Sequence, residues 1–371
     1  MTGRTVLLNP GPVTLSDRVR KALTRGDWCH REPEFAALTR SINEGLIQIY
    51  EETSAEFQAV TLTGSGSCAV EAMLATFAPD ATTTLVVANG VYGERMASML
   101  TAHGKPNRVV RSSWIDPINL DGVRDALQQD AAVSHIAVVH HETTTGRLND
   151  LPALARLARD AGCQLLLDAV SSFGAEEIDF DRWPIAAVAA TANKCLHAVP
   201  GVCFVLARRE LWQAGPPKSA GSLYLDPFVY HEAQHGDGYS PFTQSVQAAF
   251  ALDEALNELA DEGGWQSRRQ LYRDRAARIA KELRALDFEP LLPPEVRSCV
   301  LCGFRLPAGV SYSDLHGQLK RDGFIIYAGQ GHLASDLCRV ANMGDVRESD
   351  FTRLFESLRR ATGRRAKGEM A

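Results

Sequence analysis

The chain has 371 residues, of which 45% are hydrophobic and 23% charged, with a formal net charge of −6. That length fits one large α/β domain plus a smaller one, and the balance is that of a soluble globular protein with a real core. An acidic chain without a basic stripe is not expected to bind nucleic acid, which demands clustered Lys and Arg.

Residues 1–15 read as extended, with a very short apolar run meeting Asn9-Pro-Gly-Pro12, which is no secretory leader. No stretch approaches the length of a membrane span, so a cytoplasmic protein is expected. The next pattern is a helix from about Glu34 to Glu51. From there short apolar runs alternate with amphipathic helices. The strand-like runs are Ala59–Leu62, Thr84–Ala88, Arg108–Arg111, Ile136–Val139, Gln164–Leu167, Ala186–Thr191 and Val202–Ala207. Helical patterns lie near Ser67–Phe77, Tyr92–Ala102, Asp121–Gln129 and Leu151–Ala161. This alternation predicts a mostly parallel seven-stranded sheet covered on both faces. Long helices over Ser245–Ala260 and Trp265–Leu286 follow. The last part mixes strands near Cys299–Leu306 and Phe324–Tyr327 with helices near Ser311–Asp322 and Glu348–Thr362. The expected division is an N-terminal extended segment (1–15), a large domain (16–255) and a small C-terminal α+β domain (256–371). The basic run Arg359, Arg360, Arg364, Arg365, Lys367 reads as a frayed, solvated end.

Eight cysteines are scattered along the chain, several in apolar runs, which fits buried free thiols in a reducing cytosol. Cys299 and Cys302 form a single CxxC without a second pair or a His at zinc spacing, so no metal is expected there.

In open α/β sheets, ligands bind beyond the carboxyl ends of the strands. Three words stand there. Thr63-Gly-Ser-Gly-Ser67 lies between a strand and a helix, where Ser65, Gly66, Ser67 and the helix N-terminus can hold a phosphate; a bare turn is the alternative. Asp168 ends the run Gln164–Leu167, and a carboxylate at the mouth of an apolar strand demands a cation such as a protonated pyridine nitrogen. The alternatives are a helix cap or a salt bridge. Lys194, in Thr191-Ala-Asn-Lys-Cys195, follows another apolar run, which suggests a depressed pKa and imine chemistry rather than a snorkelling surface amine.

The order is phosphate turn, aromatic, Asp, then Lys 26 residues later, each after a strand. It resembles the fold-type I pyridoxal-phosphate (PLP) enzymes. Asn9-Pro-Gly-Pro12, His30-Arg-Glu-Pro-Glu-Phe35, Gly64-Ser-Gly-Ser67, Asn89-Gly-Val-Tyr-Gly93, Asn193-Lys-Cys195 and Pro200-Gly201 are similar to class V aminotransferases among them. Within class V, His141-Glu-Thr-Thr-Thr-Gly146 and Asp168-Ala-Val-Ser-Ser-Phe-Gly174 most resemble the branch acting on 2-aminoethylphosphonate and pyruvate. The resemblance runs from about residue 6 to residue 360.

It implies Lys194 as the Schiff-base lysine and proton shuttle, Asp168 on the pyridine nitrogen, and Tyr92 over the ring. It further implies Ser65, Gly66, Ser67 and Asn193 at the cofactor phosphate, Thr143 at the phenolic oxygen, and Thr243 reaching the phosphate of a neighbouring subunit. Arg339 would take the substrate carboxylate, with Gly11 and Pro12 lining the substrate side. A planar guanidinium fork suits that carboxylate in any case; a surface ion pair is the alternative. The implied partners are an amine donor, a 2-oxo acid acceptor and a second copy of the chain, and the implied reaction is ping-pong transamination giving phosphonoacetaldehyde and alanine. Gly221 stands before Ser222-Leu-Tyr-Leu-Asp226 where many relatives carry Arg, Ser245 where Pro is common, and His30-Arg31-Glu32 looks like the alanine–glyoxylate branch. Alanine–glyoxylate or serine–pyruvate transamination is therefore the runner-up.

Other words point elsewhere. His231-Glu-Ala-Gln-His235, with Glu254 downstream, matches the HExxH zinc-hydrolase pattern, which needs both His on one face of a continuous helix. Pro227, Gly236-Asp-Gly238 and Pro241 argue against a long helix there. Cys195 and His197 could form a nucleophile–base pair. A noncatalytic binding module is disfavoured by Lys194, Asp168 and Arg339 standing together, and no late Gly/Ser-rich Cys loop suggests a desulfurase.

Overall fold

A computed structural model describes residues 4–51, 53–216 and 221–363. The seven predicted strands form as Phe57–Gly64 (β1), Thr83–Ala88 (β2), Asn107–Arg111 (β3), Val133–Val139 (β4), Gln164–Asp168 (β5), Ile185–Thr191 (β6) and Gly201–Arg208 (β7). They make one sheet in the order β1-β7-β6-β5-β4-β2-β3. The ladders from β6 across to β3 are parallel, whereas β7 runs antiparallel to both β6 and β1. Their apolar runs are continuous because both faces are buried, and alternate residues serve different cores. Leu85, Val87, Ile136, Val138, Leu165 and Leu167 join one cluster; Val86, Ala137, Val139 and Leu166 join the other.

The main helices of this half and of the connection beyond it are Pro33–Gln48 (α1), Gly66–Phe77 (α2), Val91–Ala102 (α3), Leu120–Gln129 (α4), Leu151–Asp160 (α5), Pro227–His235 (α6), Val246–Asp261 (α7) and Gly264–Ala285 (α8). Helices α2 and α3 cover one face of the sheet; α1, α4, α5 and α7 cover the other. Helix α7 runs unbroken through residue 255, and Leu259 still belongs to the large core.

The C-terminal unit is a four-stranded antiparallel sheet of Glu289–Pro290 (β8), Leu301–Arg305 (β9), Tyr327–Ala328 (β10) and Leu337–Ala341 (β11), in the order β8-β9-β11-β10. Tyr312–Arg321 (α9), Glu348–Thr362 (α10) and the end of α8 pack with it through Leu315, Leu319, Phe351, Phe355, Ile279 and Leu283. The single strand expected over Phe324–Tyr327 is two pieces in different sheets. Phe324–Ile325 pairs in parallel with Val6–Leu7, so the N-terminal segment belongs to this unit, and β10 pairs with β11. Arg359 and Arg360 are not a frayed end: they lie on α10, 3.3 Å from Glu282 and 3.0 Å from Asp322 respectively. Arg364, Arg365 and Lys367 lie outside the described residues, as do residues 1–3.

Helix α8 joins the two halves with buried polar side chains. Arg268, fully buried, donates from Nη1 to the carbonyl of Cys195 at 2.8 Å and pairs with Glu262 at 2.6 Å. Arg275 donates to the carbonyls of Asn342, Gly344 and Val346. Glu262 is half-exposed and tolerates losing its partner, but the Cys195 carbonyl and the space left by Arg268 do not. Arg268→Ala is therefore expected to cost about 2–4 kcal/mol, and Glu262→Gln less than about 1 kcal/mol. Urea unfolding midpoints of the two variants check this.

Candidate active site

The carboxyl ends of β1 and β5, together with the start of α3, open onto one cleft lined by Gly66, Ser67, Tyr92, Arg95, Asp168 and Val170. Ser65 caps α2 in an extended conformation and makes no side-chain cap bond. Its hydroxyl does not cap the helix, and the Cys68 amide turns back to the Ser65 carbonyl at 2.9 Å, so the Ser65 hydroxyl and the Gly66 and Ser67 amides are the groups that can face an anion. Asp168 is buried and receives one hydrogen bond, from the Val170 amide to Oδ1 at 3.0 Å. Burial pushes its carboxyl up to about 7, and the charge of nearby Glu142 adds to the rise, against the pull of Lys194 and Arg95. A carboxylate that is short of partners beside a free helix N-terminus fits a ligand carrying a phosphate at one end and a protonated ring nitrogen at the other.

Lys194 sits in the turn after β6. Its ammonium donates to the Pro10 carbonyl, and burial brings its pKa down to about 8, with Arg339 adding to the drop while Cys195 and Asp168 oppose it. Gly11 makes room for it. That glycine has φ +118°, and a Cβ there would stand 2.6 Å from Lys194 Cδ and 2.9 Å from Nζ. Pro12 is exposed, and its carbonyl takes a hydrogen bond from Asn9 Nδ2 at 3.2 Å. Asn193 accepts from the Thr191 hydroxyl at 2.8 Å.

Arg339, on β11, is buried and held flat. Nε donates to the Ala328 carbonyl at 2.8 Å, and Nη1 to the Thr143 carbonyl at 3.0 Å and to Gln330 Oε1 at 3.2 Å. Thr143 and Arg339, both expected at the site from the sequence, thus meet from different domains. Thr243 is exposed, and its neighbours Gln244 and Ser245 are tied to the hydroxyl of Thr63, the first residue of the phosphate turn, at 3.2 and 3.0 Å.

Several side chains at the site carried no clear sequence signal. Arg95 lies 5.0 Å over the Tyr92 ring and donates to Ser67 Oγ at 3.2 Å, clamping the aromatic to the phosphate turn. Glu142 is fully buried and accepts from the Thr144 amide and hydroxyl at 3.1 and 2.6 Å and from the Tyr92 amide at 3.2 Å. It lies so close to Gly90 that a Cβ there would come within 2.6 Å of Oε2. His141 donates from Nδ1 to the Ser171 carbonyl at 2.9 Å, leaving Nε2 buried without a partner, and burial pushes it down to about 4. The pairing of Asn-Gly at 89–90 with Glu at 142 was the one available hint.

The competing motifs resolve differently. No long helix forms, as expected, but the nine-residue α6 carries both His231 and His235, with rings stacked 4.5 Å apart. They are turned to β1, His231 to Gln58 Oε1 and His235 to the Ala59 carbonyl, each at 2.9 Å, while Glu254 pairs with Arg18. Among the described residues no group of three His, Cys, Asp or Glu is placed to hold a metal. Cys195 is pushed up to about 12 by burial, and His197 bonds instead with Tyr272 and the Gly344 amide.

Residues 52–353 match the family described as Aminotransferase class-V. Two curated 2-aminoethylphosphonate–pyruvate transaminases are similar over nearly full length: one from Phocaeicola vulgatus, 34% identical across 95% of this chain and 98% of that protein, and one from Syntrophobacter fumaroxidans, 36% identical across 97% and 96%. Among solved structures, an alanine–glyoxylate aminotransferase from Nostoc superposes with a TM-score of 0.89 at 24% identity, covering 97% of this chain and 96% of that one, which marks the same fold.

Two outcomes follow from this geometry. Gly11→Ala is expected to displace the Lys194 side chain and slow its reaction with aldehydes by roughly tenfold or more, with the far-ultraviolet circular dichroism unchanged. In the unmodified chain the neutral amine is the nucleophile, so borohydride-trapped labelling of Lys194 by an aromatic aldehyde should rise from pH 6 with a midpoint at about 8. Peptide mapping reads both, and a midpoint near the ordinary lysine value would contradict the burial argument.

Proposed function

The chain belongs to the class-V aminotransferases, and from that premise we propose that it transfers the amino group of 2-aminoethylphosphonate to pyruvate, yielding phosphonoacetaldehyde and alanine. The observation that carries this reading is end-to-end similarity, at 34–36% identity, to curated transaminases of that reaction. The proposed cofactor is pyridoxal 5′-phosphate, which supplies an electron sink for charge developing at the substrate carbon.

The chain's residues then take these roles. Lys194 would hold the cofactor through Nζ and, as a free amine, would take up on Nζ the proton that leaves the substrate carbon. A lowered pKa suits both tasks, because at pH 7 it makes the neutral amine roughly 300-fold more abundant than for an ordinary lysine. Asp168 would face the ring nitrogen and keep a proton there, a place where its own carboxyl, pushed up to about 7 by burial, would gain a cationic partner. Tyr92 covers the ring, and Ser65, Gly66, Ser67 and Asn193 hold the phosphate end. Thr143 reaches the phenolic oxygen. Arg339, its plane fixed by Ala328, Thr143 and Gln330, takes the pyruvate carboxylate, with Gly11 and Pro12 on the substrate side. Thr243 serves the site of a second copy, a role supported by its exposure. We propose a cytoplasmic homodimer.

An amine-donor screen tests the reaction. Alanine should accumulate from pyruvate with 2-aminoethylphosphonate and not with serine; serine alone supporting it would replace this reading with serine–pyruvate transfer. Lys194→Ala should lose roughly 10^3-fold or more of that turnover while still binding the cofactor noncovalently, and borohydride should fix the cofactor on the wild-type peptide only.

A further inference from the structure

Away from the active site, one face of α8 carries more positive charge than its neighbours neutralise. Arg269, Arg273, Lys281 and Arg284 fall at spacings of four, eight and three residues, which places them around a single helical face. Ala276, Ala277 and Ala280 lie between them, and their short side chains form a floor rather than a ridge. The facing wall is the 294–299 segment of the C-terminal unit, with Arg297, and Leu148 closes one side. The result is a cleft of about 680 Å³ between the two halves of the protein.

Arg269 is already committed, 3.3 Å from Glu176 and 3.0 Å from Glu177. Glu176 is also satisfied, by the Ser298 hydroxyl at 2.6 Å and the Cys299 amide at 2.8 Å. Arg273, Lys281, Arg284 and Arg297 make no ion pair among the described residues, and Glu295 is the one other carboxylate on the lining. Arg297 further keeps Nη1 buried with no strong acceptor among the described residues, its near neighbour being the weakly accepting Cys302 thiol.

We propose that this cleft is an anion site, separate from the active site, for a small, multiply charged phosphoryl or phosphonyl compound. Three or four cations around one concavity match the several oxygens of a tetrahedral dianion better than a planar carboxylate, and guanidinium forks engage such oxygens in pairs. A ligand there would touch both α8 and the 294–299 segment. That segment is joined to the active-site turn by the Ser298 amide on the Gly146 carbonyl at 2.9 Å.

The test is calorimetric titration of the holoenzyme with inorganic pyrophosphate, ionic strength held constant with chloride. One equivalent per chain should bind and persist in Arg339→Lys, which disables the active-site anion position. Arg273→Glu and Arg284→Glu should each weaken that binding at least about tenfold, with turnover unchanged, because both side chains are exposed and lie outside the catalytic machinery. Ala277→Phe, which fills the floor without altering charge, should weaken it likewise. Displacement of pyrophosphate by phosphonoacetate would extend the site to carbon–phosphorus compounds, and its absence would narrow the site to phosphoryl ones. Binding that ignores all three cleft variants, or that vanishes in Arg339→Lys, overturns the proposal.

Discussion

Lys194 and Asp168 carry opposite charges into a region where water is scarce, and neither satisfies the other by direct hydrogen bonding. Among the described residues each side chain has a single hydrogen-bond partner, the Pro10 carbonyl and the Val170 amide respectively. Burial drives the two pKa values toward one another, to about 8 and about 7, so both groups stand near the point where a proton moves at little cost. That condition depends on the sheet. Parallel strands with apolar side chains on both faces leave ligand chemistry to the turns beyond their carboxyl ends, and β5 and β6 release Asp168 and the Lys194 turn side by side.

The second half of the site comes from the small C-terminal sheet. Arg339 lies within β11, yet its guanidinium reaches the Thr143 carbonyl of the large domain. The same strand is tied to the N-terminal segment, because the Ala341 amide donates to the Leu8 carbonyl at 2.7 Å. Helix α8 then holds the turn beyond β11 through Arg275 and the Lys194 turn through Arg268. Buried guanidiniums on backbone carbonyls suit this purpose: they cross a domain boundary without demanding a buried carboxylate in return.

How much of this was legible in the sequence follows from what each element buries. All seven strands of the large sheet read clearly, since short Leu, Ile, Val and Ala runs alternating with amphipathic helices form strands buried on both faces. Strand β11 was missed. Leu337-Cys-Arg-Val-Ala341 is short and carries an arginine at its centre, so neither alternation nor a continuous apolar run announces it. Pro227 and Gly236 argued against a long helix and instead delimit the short helix α6, with Pro in its first turn and Gly just past its end. Lys194, Asp168 and the Ser65–Ser67 turn were legible as strand-end chemistry. Glu142 and Arg95 were not, because their meaning lies in tertiary neighbours, Gly90 for one and the Tyr92 ring for the other.

The pairing of Val6–Leu7 with Phe324–Ile325 also bears on biosynthesis. The carbonyl that receives the Lys194 ammonium follows within a few residues of that N-terminal strand, and the strand has no place to dock until residue 325 has emerged from the ribosome. At ordinary elongation rates this is a wait on the order of tens of seconds. The large sheet can assemble while translation continues, but the segment whose carbonyl receives the Lys194 ammonium is fixed only after Phe324–Ile325 has been made, so the lysine gains its surroundings later than the sheet that carries it.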